Sequence, residues 1–161
     1  MSEPGMVYVK TLLFTLVAPC SVVAWIPAWL FRGSSLAPAG GWLGAAGAVL
    51  IVAGGAAYLW CAVEFAARGG GTPAPIDPPK GLVTTGLYRF VRNPMYQGVL
   101  AILAGETALF RAIEFAVYGV LVWFCFHLFV VLYEEPAQSR RFGAAYEAYR
   151  RTVPRWGCRI R

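Results

Sequence analysis

Residues 44–60 read GAAGAVLIVAGGAAYLW, seventeen positions without one charged side chain. The apolar run widens to Gly41–Ala67, with Glu64 close to its end. Strands seldom exceed about ten residues, whereas roughly twenty apolar residues in a helix cross a bilayer. The run therefore predicts a membrane-spanning helix. Gly44, Ala48, Gly55 and their neighbours would let a second helix approach its backbone closely.

Three more segments extend the pattern. Val9–Phe31 is apolar apart from Lys10, and Trp25, Pro27 and Trp29 sit near its far end, where interfacial tryptophan is common. In RNPMYQG, residues 92–98, Asn93 is placed to cap a helix and Pro94 to occupy its first position. That helix runs to about Phe110, with Gly98, Ala101, Gly105 and Ala108 on one small-residue face and Glu106 near its outer end. Arg111 and Glu114 mark a tight turn, and Ile113–Tyr133 forms the fourth run, enclosing His127. Glu134–Tyr149 has helical composition but much more charge, and is expected to leave the bilayer and lie at its surface. The prediction is an all-α, polytopic membrane helical bundle: about four transmembrane helices plus a C-terminal interfacial helix, in one domain over residues 1–161.

Composition agrees. The chain is 58% hydrophobic and 14% charged, with a mean hydropathy of +0.58, against about 25% charge in soluble domains. The net charge is +6, and seven of the fourteen basic residues follow Glu134. With no zinc-finger spacing and no RNA-binding aromatic pattern, nucleic acid is not the expected partner. Cys20, Cys61, Cys125 and Cys158 show no metal or redox spacing, and Cys158 stands as a free thiol. The first apolar run is too long for a signal peptide. RGGGTPAPIDPPKG, residues 68–81, predicts an irregular loop. Four spans put both termini and the 68–92 loop on one side. Arg68, Lys80, Arg89 and Arg92 there, against Arg32 and Arg111 opposite, place that side in the cytoplasm, as in a multi-pass bacterial inner-membrane protein.

Candidate chemistry gathers at that face. Glu134 and Glu135 are adjacent, so one can point inward while the other pairs with arginine, Arg89, Arg92 or one in the tail. The free N–H groups after Asn93 favour an anion. Tyr96 is either an interfacial anchor or part of a binding wall. His127 lies seven residues before Glu134, on roughly one face; it is a base or a neutral histidine bonded within the bundle. Glu64 is a secondary candidate, and Glu106 lies toward the opposite side. Tyr146, Tyr149 and Arg150 form an aromatic and basic face, able to sit on anionic headgroups or to cover a nucleoside.

Three motifs in order, GLYRFVRNPMYQG (86–98), LYEEP (132–136) and FGAAYEAYRRTVPRW (142–156), resemble the isoprenylcysteine carboxyl methyltransferase and phospholipid methyltransferase group of integral-membrane methyltransferases. The likeness covers Gly81–Trp156. It implies S-adenosylmethionine as methyl donor, bound in a core over 81–156, and a membrane lipid acceptor. By motif, Arg89, Asn93, Pro94, Tyr96 and Gly98 would line the cofactor wall. Glu134 and Glu135 would hold cofactor and reacting groups, with His127 a further candidate base, and Tyr146, Tyr149 and Arg150 would close the pocket. Many carboxyl methyltransferase relatives have histidine where Asn93 stands. The first two motifs look closer to phospholipid N-methyltransferases and the tail to the carboxyl branch. The expected acceptor is the amine of phosphatidylethanolamine or its methylated forms. The alternatives are carboxyl O-methylation of an isoprenylcysteine-like substrate, methylation of another small amphiphile, and a non-enzymatic assembly or transport subunit. No metal is implied, and the oligomeric state is open.

Overall fold

The computed structural model describes residues 4–34, 36–69 and 80–157. Most of the irregular loop predicted after Arg68 (residues 70–79) lies outside the described residues, as does Cys158. Among the described residues the regular structure is entirely helical. Among the described residues three helices are long and apolar enough to span a membrane: α1, Gly5–Leu30; α2, Gly41–Gly69; and α4, Ile113–Phe142. Between the last two lies α3, Pro94–Phe110, of 17 residues, about 25 Å long. A short helix, α5, covers Ala144–Thr152. A 3₁₀ turn at Gly86–Arg89 leads into α3.

The most extensive helix contact joins α2 to α3, and glycines make it. An ideal Cβ on Gly54 would lie 2.6 Å from the Gly98 carbonyl oxygen, and one on Gly98 would lie 2.8 Å from that of Gly54. One level further along, Gly47 and Gly105 approach reciprocally, at 2.7 and 2.6 Å. Both pairs are seven residues apart, two helical turns, so the antiparallel seam stays in register. The small-residue face of α3 is thus where the sequence put it. On α2 the close approach falls on neighbours of the residues named from sequence, Gly54 beside Gly55 and Gly47 beside Ala48, while Gly55 itself has nothing within 4 Å of its would-be Cβ. A run this uniformly apolar carries no stripe to say which side turns inward.

Among the described residues three helices widen locally into π turns, Ser21–Trp25 in α1, Phe65–Gly69 in α2 and Val130–Glu134 in α4. The turns in α1 and α4 each end two residues before a proline, Pro27 and Pro136. A proline has no N–H and clashes with the preceding turn, and a wider turn relieves the clash. In α1 the Ile26 N–H bonds to Ser21 O. With Pro27 next, the Val22 carbonyl is left without a helical donor, and the Tyr118 hydroxyl of α4 donates to it at 2.9 Å. Unpaired backbone is costly away from water, so this bond ties α1 to the bundle. A second tie joins Thr15 to Tyr58 of α2 at 3.2 Å.

The segment predicted as one interfacial helix, Glu134–Tyr149, divides. Residues up to Phe142 continue α4, and Gly143, at φ 50°, breaks the chain before α5. Arg111 closes α3 in the left-handed conformation, φ 51°, and makes the tight turn expected there. Many large apolar side chains face outward, among them Trp25, Trp29 and Trp42 at 67%, 63% and 81% exposure. A water-facing surface of that kind would not stay monomeric, so lipid is the fitting solvent.

Candidate active site

A cavity of about 480 Å³ opens among the helices, within the usual size of small-molecule sites. Its wall has two characters. Arg92, Asn93, Glu134, Glu135 and Gln138 line one part, where α3 begins and α4 approaches its end. Phe14 and Pro19 of α1, Val99 of α3 and Phe126 of α4 line another. Val99 is six residues beyond Asn93 and Phe126 eight before Glu134, so the apolar part lies about 10 Å deeper along the helices. The cavity is amphiphilic, and its polar part is at the face that the sequence marked.

The two glutamates do separate work. Glu134 Oε1 accepts the Tyr96 hydroxyl at 2.7 Å, and among the described residues no cation pairs with this carboxylate. Glu135 is buried and pairs twice. Arg92 Nη1 donates to its Oε1 at 2.8 Å, and Arg155 donates from Nε to Oε1 at 2.6 Å and from Nη2 to Oε2 at 2.7 Å. Arg92 Nη1 also reaches the Tyr146 hydroxyl at 3.2 Å. Its Nε–H is buried with no acceptor.

The chain after α5 runs back across the start of α3 and is stitched to it. The Arg92 N–H donates to Pro154 O at 2.9 Å, and the Asn93 side-chain amide to Arg155 O at 3.1 Å. Gln97 donates to Gly157 O at 3.3 Å. Trp156 Nε1–H donates to His127 Nδ1 at 3.0 Å. Asn93 therefore occupies the cap position of α3 without capping it by its side chain; its amide is used by the tail segment instead. Pro94 stands at the first helical position as expected.

Tyrosines complete the polar end. Tyr149 donates to the Tyr88 carbonyl at 2.7 Å. Burial pushes the phenols of Tyr88, Tyr146 and Tyr149 above their usual range, for Tyr146 with help from the Glu135 charge. All three stay protonated donors. The hydrogen bonds to Glu135 likewise raise the Arg155 guanidinium further.

Of the residues singled out from sequence, Asn93, Pro94, Tyr96, Glu134, Glu135, Tyr146 and Tyr149 line the cavity. Four do not. Arg89 is exposed and stacks over Phe90. Arg150 is exposed and pairs with Glu147 at 3.0 Å. Gly98 belongs to the seam with α2. His127 and Glu134 do not share a face, because the π turn between them inserts a residue, turning them apart by about 100°. His127 instead lies against Trp123 and Trp156. Glu64 is also outside, held by Thr85 and Arg68 at 2.8 Å each. Sequence reasoning treated Arg92 and the tail arginines only as ion-pair partners of the glutamates, a pairing found at Glu135 with Arg92 and Arg155, and missed Tyr88 and Trp156. Arg92 had a signal, adjacency to Asn93-Pro94; nothing in the sequence singled out Arg155 among the tail arginines.

A family profile described as phospholipid methyltransferase matches residues 42–145. The chain belongs to the phospholipid methyltransferase family. The match runs through α2, α3 and α4, so the second helix is part of the likeness. It covers Arg92, Tyr96, Glu134 and Glu135, and stops one residue before Tyr146. No curated protein and no solved structure matches the chain significantly. Membership makes this protein a membrane methyltransferase of a family acting on lipids. Among the described residues no group of histidine, cysteine or carboxylate side chains could hold a metal ion.

Proposed function

We propose that this protein transfers a methyl group from S-adenosylmethionine to the amine of a phospholipid, phosphatidylethanolamine or its methylated forms. The observation that carries the reading is Glu134, a carboxylate with no cationic partner among the described residues, on the wall of a cavity that turns apolar with depth. An unpaired anion in a partly dry site favours a cation, and a lipid ammonium joined to apolar chains matches both halves. Carboxyl O-methylation asks for a cation for the substrate's carboxylate besides one for the donor's, and among the described residues Arg92 is the one arginine that lines the cavity.

The wall also fits the donor. The unsatisfied Nε–H of Arg92 would meet an oxyanion such as the donor's carboxylate. Tyr88 and Tyr149 would flank its nucleoside. S-adenosylmethionine supplies an electrophilic methyl group carried on a sulfonium.

The chain's own part is alignment and proton handling. Tyr96 fixes Glu134 through Oε1, leaving Oε2 to take the proton from the lipid ammonium and free the nitrogen lone pair. The tail segment would cover the polar end, keeping reacting groups aligned and water out. Both termini, the polar mouth and the donor would then be cytoplasmic.

Purified protein in detergent, given labelled S-adenosylmethionine and mixed lipids, should label phosphatidylethanolamine or its methylated forms. Label appearing only on a prenylcysteine carboxylate would overturn the acceptor assignment.

A further inference from the structure

Arg155 does not line the cavity, yet it makes two hydrogen bonds to Glu135, the partner of the cavity's arginine. Both Glu135 oxygens are engaged: Oε1 by Arg92 and Arg155 together, Oε2 by Arg155 alone. The group Arg92–Glu135–Arg155 thus holds two cations against one anion. Arg155 is 32% exposed and Arg92 11%, so the arginine facing the cavity is the better shielded from water, and its charge counts more. Arg92 is fixed from three sides, by Glu135, by the Tyr146 hydroxyl and through its backbone N–H by Pro154. Its buried Nε–H still lacks an acceptor.

Without Arg155, Glu135 would neutralise Arg92 alone, and the pair would offer little to an anion. With Arg155 sharing the carboxylate, the surplus positive charge remains on the cavity side. We propose that Arg155 is a positioning residue that, by sharing Glu135, leaves Arg92 charged and oriented to hold an oxyanion of the ligand. That oxyanion is the donor's carboxylate or the lipid's phosphodiester. The inference rests on the proposed methyl transfer at this same cavity.

The test compares wild type, Arg155→Gln and Arg155→Lys in detergent. Affinity is measured for S-adenosylhomocysteine and for 5′-methylthioadenosine, a nucleoside thioether without the carboxylate, and KM is measured for phosphatidylethanolamine. If the donor's carboxylate is held, Arg155→Gln weakens S-adenosylhomocysteine about tenfold, a charged hydrogen bond's worth, and leaves 5′-methylthioadenosine unchanged. If the phosphodiester is held, both nucleosides bind as before and the lipid KM rises. Arg155→Lys, which keeps the charge, recovers most of either loss, and Arg151→Gln, an exposed arginine nearby, changes nothing. Equal weakening of both nucleosides, no change in any of the three measurements, or a lysine variant as poor as the glutamine one overturns the proposal. Failure of wild type to bind S-adenosylhomocysteine would instead sink the methyltransferase reading of the cavity. Should Arg155→Gln not fold, the lysine variant alone decides: affinities within about threefold of wild type are expected from retained charge, and a selective loss near tenfold overturns it.

Discussion

At the scale of single residues, adjacency conceals a division of labour. Glu134 and Glu135 differ by about 100° around α4, enough to give one to the cavity and one to two arginines. Glu134→Gln keeps shape and the Tyr96 hydrogen bond but removes the charge. It should cut kcat/KM at least about tenfold, with the unfolding midpoint nearly unchanged. Glu135→Ala should behave differently. It leaves Arg92 and Arg155 facing each other without an anion, and should lower stability by about 3 kcal/mol, read from thermal unfolding in detergent. His127 accepts a hydrogen bond from Trp156 at Nδ1 and does not touch the cavity. His127→Phe should therefore loosen the tail and reduce activity modestly, without removing a limb of the pH–rate profile. Disappearance of that limb would restore His127 as a base.

At the scale of elements, the seam between α2 and α3 depends on glycine at particular positions. Gly54→Ala drives a methyl group to 2.6 Å from a backbone oxygen and should cost about 1–3 kcal/mol, as overpacking does. Its neighbour gives the opposite result. Gly55→Ala meets open space and should be neutral or stabilising by up to about 1 kcal/mol through helix propensity. Comparing the two unfolding midpoints checks the seam directly. The tie of α1 to α4 has its own signature. Tyr118→Phe leaves the Val22 carbonyl without a donor and should cost about 1–3 kcal/mol. Pro27→Ala restores an N–H to the helix and should recover part of that loss.

At the scale of the whole molecule, the helices form a scaffold and the tail completes a site. Residues 153–157 join α3 and α4 through side-chain and backbone bonds that no helix interior supplies. A chain ended at Thr152 should still insert and hold the α2–α3 seam, but lose binding of S-adenosylhomocysteine. Retained binding would show that the tail only decorates the cavity.

The sequence by itself determined the solvent and the architecture. Long uncharged runs leave a helix in lipid as the only way to satisfy every backbone group. It also determined which face carries the chemistry, because charge, the Asn93-Pro94 start and the Glu134-Glu135 pair all fall at one set of helix ends. Seven of its site residues line the cavity for that reason. Tertiary structure decided rotation and reach. Which glycine of a uniformly apolar helix turns inward is invisible in composition, and Gly54 rather than Gly55 follows only from docking against α3. A π turn shifts register by one residue, so the spacing of His127 and Glu134, read as α-helical, gave the wrong face. Arg155 and Trp156 sit far along the chain from Arg92, Glu135 and His127. No local periodicity reports such pairs, and only the reversal at Gly143 and the return of the tail bring them together.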